Sequence, residues 1–261
     1  MVKKMREIES RQFSEEYSIE IDNPVSRYRK ATGPLMKLAN LAGSKIESVM
    51  EAIPDGFEKE LQNTIKLALE KAYDTSDYLS KNAYAPTVPS YFHKVTATVT
   101  GAIGGLAGLA GAAAELPVSV TTMFGSFQKI AESYGFDRSD PETKLECLKV
   151  FSMGGPLEED DDLDLSFAAA KLGLSGQAIS NIIATASQRL SVVLTTKLGS
   201  SAIPILGAFS GGALNYAFIS YYEEMAHIRF RLKQLQIENP NLQPMSDFIL
   251  KLKGHCQIKP A

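Results

Sequence analysis

The sequence predicts an all-α chain: a single multi-helix domain with two Gly/Ala-rich helical hairpins at its centre. Three observations lead there. Two long stretches, Val95–Ala114 and Leu198–Tyr222, carry no charged side chain and are rich in small residues. Elsewhere apolar residues recur at the helical period, most clearly from Phe57 to Ala72. The several short alternating segments that a sheet requires are not found; the Val-Thr alternation at 95–100 runs straight into an Ala-rich continuation that favours helix. At 261 residues, 44% hydrophobic and 22% charged, the chain has the ordinary make-up of one globular domain.

Taken in order, residues 1–24 are polar and aperiodic up to Pro24 and read as a mobile arm; Met1–Ser10 mix Lys, Arg and Glu with no apolar run behind them, so no secretory signal is expected. A first helix is expected after Gly33-Pro34, running to about Glu51, with proline suited to the opening turn. Pro54-Asp55-Gly56 is a turn. Phe57, Leu61, Ile65, Ala68, Leu69 and Ala72 then share one face of an amphipathic helix. A break at Glu115–Pro117 separates Val95–Ala114 from a second helix that ends near Gly135. Asp140-Pro141 reads as an N-cap followed by proline at the first helical position, opening a helix to about Met153. The acidic run Glu158–Asp164 is a solvated loop. Helices follow over Ser166–Leu172 and Ser175–Lys197, and the second uncharged region grades into a charged helix ending near Pro240. A short helix carrying Phe248, Ile249 and Leu252, capped by Ser246, closes a C-terminal section of residues 241–261.

Charge and cysteine usage bound the function. A net charge of −3 excludes a generally basic nucleic-acid binder. The balance is uneven: residues 95–171 hold five basic against twelve acidic side chains, residues 172–261 eight against four. Cys147 and Cys256, far apart and in no metal-type spacing, fit a reducing compartment, so the cytoplasm is the expected location.

Twenty uncharged residues are long enough to span a bilayer as a helix, yet Val95–Ala114 contains five Gly and seven Ala. Such faces favour close helix–helix approach over lipid contact, and Gly101/Gly105, Gly104/Gly108 and Gly207/Gly211 have that spacing. Buried core hairpins and reversible insertion at a membrane therefore stand as alternative readings. Arg229, Arg231 and Lys233, clustered beyond the second uncharged region, are the candidate contacts to an anionic leaflet.

The block from Glu115 to Gly155 carries Glu115-Leu116-Pro117, Ile130-Ala131, Gly135, Asp140-Pro141-Glu142-Thr143, Cys147-Leu148, Val150-Phe151 and Gly154-Gly155. A second block carries Pro204, Gly207, Gly211-Gly212, Asn215, Phe218, Ala226, Phe230 and Leu235. In content, order and separation these resemble the EcsC protein family over about residues 25–238, which makes residues 25–240 an EcsC-like helical domain. The family is named for a bacterial protein encoded beside the components of an ABC exporter, so the resemblance implies a bacterial protein with a link to a transport system, and it implies no particular reaction. The chain departs from the family pattern at Lys233-Gln234-Leu235-Gln236, where relatives carry Arg-Arg-Leu-Glu, and near Gly125, where they carry a basic residue.

Candidate chemistry is sparse. Glu115, a lone carboxylate between two uncharged runs, is either a buried group with a raised pKa or a cap for the helix opening at Pro117. Gln128 and Asn215, polar residues in apolar helices, read as interhelical hydrogen-bond partners, and Gly207 and Gly211 as close-packing positions. Glu224-x-x-His227 has the spacing of half a dinuclear carboxylate site, but no second Glu-x-x-His completes it. Asp160, Asp162 and Asp164 mimic the start of a calcium loop that fails at Leu165 and Lys171. No metal and no cofactor are expected. Ser210 with His227 as its base is the one hydrolytic pair to consider, 17 positions apart. The expected function is that of a non-catalytic accessory protein of the bacterial cytoplasm that binds either the inner face of the cell membrane (its lipid or a membrane protein) or an apolar partner, with a link to a transport system; a lipid-like ligand carrier and a hydrolase with a scattered site are the alternatives.

Overall fold

A computed structural model describes residues 15–33, 56–81, 117, 119–153, 175–201 and 204–254. Every regular element among them is helical, and none is a strand. In chain order they are α1 (15–33), α2 (Phe57–Lys81), α3 (119–133), α4 (Pro141–Val150), α5 (Gly176–Ser201), α6 (Pro204–Glu238) and α7 (Pro244–Leu252). Residues 82–116, and with them the first Gly/Ala-rich region, lie outside the described residues, as do 154–174 with the acidic run.

Local signals account for most boundaries. α2 buries Leu61, Ile65, Ala68, Leu69 and Ala72, the face its periodicity predicts, and packs along α5. α3 stops in a Schellman arrangement: the Gly135 amide donates to the Glu132 carbonyl (3.0 Å) and the Phe136 amide to the Ala131 carbonyl (3.1 Å). That geometry needs a left-handed residue, and Gly135 has φ +84°. Asp140 caps α4 by accepting from the Glu142 amide (2.9 Å), with Pro141 in the first turn. Ser175 does the same for α5, accepting from the Ala178 amide (3.2 Å).

Two expectations are corrected. Residues 15–24 belong to no loose arm: they form the first half of α1, with Ile21 and Val25 buried in the core. Proline at position 24 does not stop the helix, which runs on to residue 33, just before Pro34. At the other end, α7 opens at Pro244 rather than at a Ser246 cap, and its N-cap, Gln243, makes no side-chain capping bond.

α6 organises the rest. It is one continuous helix of 35 residues, roughly 50 Å long at 1.5 Å per residue. From Phe218 to Leu235 most of it is buried, contributing Tyr221, Tyr222, Met225, Ala226, Ile228, Phe230 and Leu232 to the core, while Ser220, Glu224, His227, Arg231 and Gln234 line one partly exposed face. α4, α5 and α7 pack against it. Aromatic contacts knit this level together, among them Phe151–Tyr222 and Phe136–Phe230, with ring centroids 5.8 and 5.4 Å apart.

Candidate functional site

A helix surrounded by others has no solvent face for its charges, so any charge on it must be met inside. α4 is such a helix: Thr143 through Val150 are all buried, including Lys144, Glu146 and Lys149. Lys144 lies over the Tyr73 ring of α2, 5.7 Å from its centroid. Glu146 faces α6, where Arg229 donates to its carboxylate through both Nε (2.6 Å) and Nη2. Lys149 Nζ donates to the other oxygen at 3.2 Å, and Lys233 Nζ stands 3.5 Å from it while donating to Glu142 at 2.6 Å. The side chains of Arg229 and Glu146 are only 5% and 8% exposed.

The electrostatics follow. Burial by itself would raise the Glu146 pKa, but Arg229, then Lys149 and Lys233, more than offset it and pull the carboxyl from 4.5 down to about 2. Burial lowers the Lys149 pKa, against the pull of Glu146. Cys147, between these two residues and fully buried, has its thiol pushed well up by burial and by the Glu146 charge. Glu146 is therefore a fixed anion and Cys147 a protonated thiol at neutral pH. Neither is poised as a general acid, a base or a nucleophile.

A second set of polar contacts lies on another face of α6. Ser126 of α3 donates to Glu223 (2.8 Å), Arg27 of α1 to Glu224 (2.7 Å), and Arg231 to Glu20 (2.5 Å). Tyr134 Oη and His227 Nδ1 are 3.2 Å apart, their rings meeting edge-on. Burial raises the Tyr134 pKa, with Arg27 and Arg231 opposing, so it stays a phenol. Glu224 and His227 are thus each committed to another element, and no group of His, Cys, Asp or Glu among the described residues could hold a metal ion.

The residues singled out from sequence fare differently. Pro117 is exposed and its carbonyl accepts from Thr121 Oγ1 at 2.7 Å; Glu115 lies outside the described residues. Gln128 is buried, as a polar residue in an apolar helix should be, and donates to the Arg138 carbonyl (3.0 Å), tying α3 to the loop that follows it rather than to another helix. Gly207, Gly211 and Asn215 sit on α6, where the surroundings of their side chains lie outside the described residues. Of the three candidate contacts to an anionic leaflet, Arg229 is interior and has no outward face; Arg231 and Lys233 are partly exposed, and all three are paired with carboxylates of the chain itself. Ser210 and His227 lie on the one unbroken α6, some 25 Å apart along its axis, and so cannot act together.

The sequence assigns no role to Glu146 or Lys149, and Glu142 enters only within the Asp140-Pro141-Glu142-Thr143 motif. The available signal was a lack of pattern: in Pro141–Val150 charged and apolar residues alternate around the whole helix, leaving no polar face. Glu20 has no local signal either, its partner Arg231 lying 211 positions away.

The family model of the EcsC protein family matches residues 26–235. The chain belongs to the EcsC protein family. The EcsC match takes in the buried cluster on α4 and α6, the Schellman turn at Gly135 and the capped start of α4. It leaves out the first half of α1 and all of α7. Near the end of the matched region, Lys233 engages Glu142 and Glu146, and Gln236 donates to the Leu242 carbonyl (2.6 Å) across the α6–α7 turn. Neither the curated proteins nor the solved structures match the chain. Among the described residues, no helix is long and apolar enough to cross a membrane.

Proposed function

We propose that this EcsC-family protein is a non-catalytic accessory protein that docks on the inner face of the cell membrane through its charge-free, small-residue segments. One observation carries the reading, the division of α6. Its C-terminal half is fixed in the bundle by buried ion pairs to α4 and by pairs to α1. From Pro204 to Tyr222 the same helix has no charged side chain at all. A rigid base continuous with an uncharged helical stretch suits shallow contact with an apolar phase better than it suits catalysis, whose acid–base and nucleophilic groups would have to converge.

The pairing of Arg229, Arg231 and Lys233 changes the expected character of binding. With these charges already met by Glu146, Glu20 and Glu142, attraction to anionic headgroups is a minor part. Flotation with neutral and anionic liposomes at low and high salt tests this. The reading expects a fraction that floats with both and persists at high salt. No flotation with either lipid at low salt would remove membrane docking and leave a protein partner or an enclosed lipid-like ligand, which native mass spectrometry would reveal as co-purified mass.

A further inference from the structure

The two terminal helices hold each other. Tyr17 Oη donates to Asp247 (2.5 Å), and Lys251 Nζ donates to the Ser18 carbonyl and hydroxyl (2.9 Å each) and to Asp22 (2.6 Å). Tyr28 of α1 meets Phe248 of α7 edge-on, centroids 6.1 Å apart. α1 is also fastened to α6 by Arg27–Glu224 and Arg231–Glu20; it buries Ile21, Pro24 and Val25, with Tyr17, Tyr28 and Ala31 partly buried against the core. Partners more than 190 positions apart in sequence thus fold over one side of α6.

These fastenings differ in kind from the interior ones. The carboxylates that hold α1 and α7, Asp22, Glu20 and Glu224, have side chains 61%, 45% and 36% exposed. Pairs at that exposure are weak and screened by salt, whereas Glu146–Arg229 is shielded from it. Burial and the Asp247 carboxylate raise the Tyr17 pKa, so its hydroxyl stays a donor to Asp247 at neutral pH. Tyr17, Ser18, Glu20, Asp22, Asp247, Phe248 and Lys251 also all lie outside the residues matched by the family.

We infer that α1 and α7 form one clasp, the polar contacts between the two helices lying outside the family's matched region, that opens as a unit while α4 and the C-terminal half of α6 stay folded, with ionic strength setting how often it opens. Opening uncovers the faces of Ile21, Val25 and Phe248 and the side of α6 beneath them. The inference is independent of what the protein docks on.

Hydrogen exchange on the full chain tests it. Peptides over residues 15–33 and 244–252 should exchange at a common rate, faster than 141–150 and 219–235. Raising salt to 1 M, where the Debye length is about 3 Å, should speed both terminal peptides together. Lys251→Met, which removes the contacts to Ser18 and Asp22, should speed both by roughly threefold or more, leave 141–150 unchanged, and blunt the salt effect. Asp22→Asn, made from the other side, should repeat the pattern. Acceleration of only the mutated helix, acceleration of the whole chain, or no change in residues 15–33 with Lys251→Met would each overturn the clasp.

Discussion

Among single residues, Glu146 has the largest energetic leverage. Its carboxylate is the common partner of Arg229, Lys149 and Lys233, so Glu146→Gln leaves buried cations facing a neutral amide. Breaking a buried pair from one side costs about 3–5 kcal/mol, and a marked fall in melting temperature is expected by calorimetry. The pH dependence has a definite sign. The folded pKa, about 2, lies below the ordinary 4.5, so the stabilisation from this group is complete above pH 4.5 and is lost as pH falls from there toward 2. Acid unfolding of the wild type should therefore steepen in that window, and Glu146→Gln should flatten it. Gly135 offers a second check. A Cβ there meets nothing within 4 Å, so any cost of Gly135→Ala comes from its φ of +84° alone; about 1 kcal/mol of destabilisation is expected in denaturant titration. The roles of Gly135 and Asp140 are readable locally because turn and cap chemistry lies within a few residues of its partners. That of Glu146 is not, because its main partner lies 83 positions away.

For whole elements the same distinction explains which helices the sequence reveals. α2 shows itself through a clean apolar stripe, and α4 through Asp140-Pro141. α1 is less plain: Tyr17, Ile21, Val25, Tyr28 and Ala31 do fall at helical spacing against the core, but Pro24 and the surrounding charges break up the pattern, and nothing local encodes an Arg27–Glu224 pair 197 positions apart. α6 is half legible: the change from an uncharged to a charged stretch is plain, but that both lie on one unbroken helix is a matter of packing by α4, α5 and α7. Capping energetics are testable on α4. Asp140→Ala removes the acceptor for the Glu142 amide and should cost about 1 kcal/mol. Because α4 carries Glu146 and Lys149, the loss should be felt as global destabilisation in a melt rather than as fraying of one helix.

Over the described part of the molecule, charge is partitioned. Interior charge is concentrated where α4 crosses the C-terminal half of α6, the weaker and more exposed pairs fasten the terminal helices, and the uncharged stretch occupies the start of α6. That partition underlies the docking proposal, and it is a statement about where a membrane would be touched. The chain contains no tryptophan, so one introduced indole reports on one place. Phe209→Trp puts it in the uncharged half of α6, and Phe136→Trp puts it beside Phe230 at the charged end. Each variant, bound to liposomes whose acyl chains are brominated at known depth, gives a quenching signal only if its indole reaches the hydrocarbon. The account predicts strong, salt-resistant quenching and a blue shift for Phe209→Trp, with Phe136→Trp unaffected; binding that leaves position 209 unquenched, or quenches position 136 instead, would contradict it.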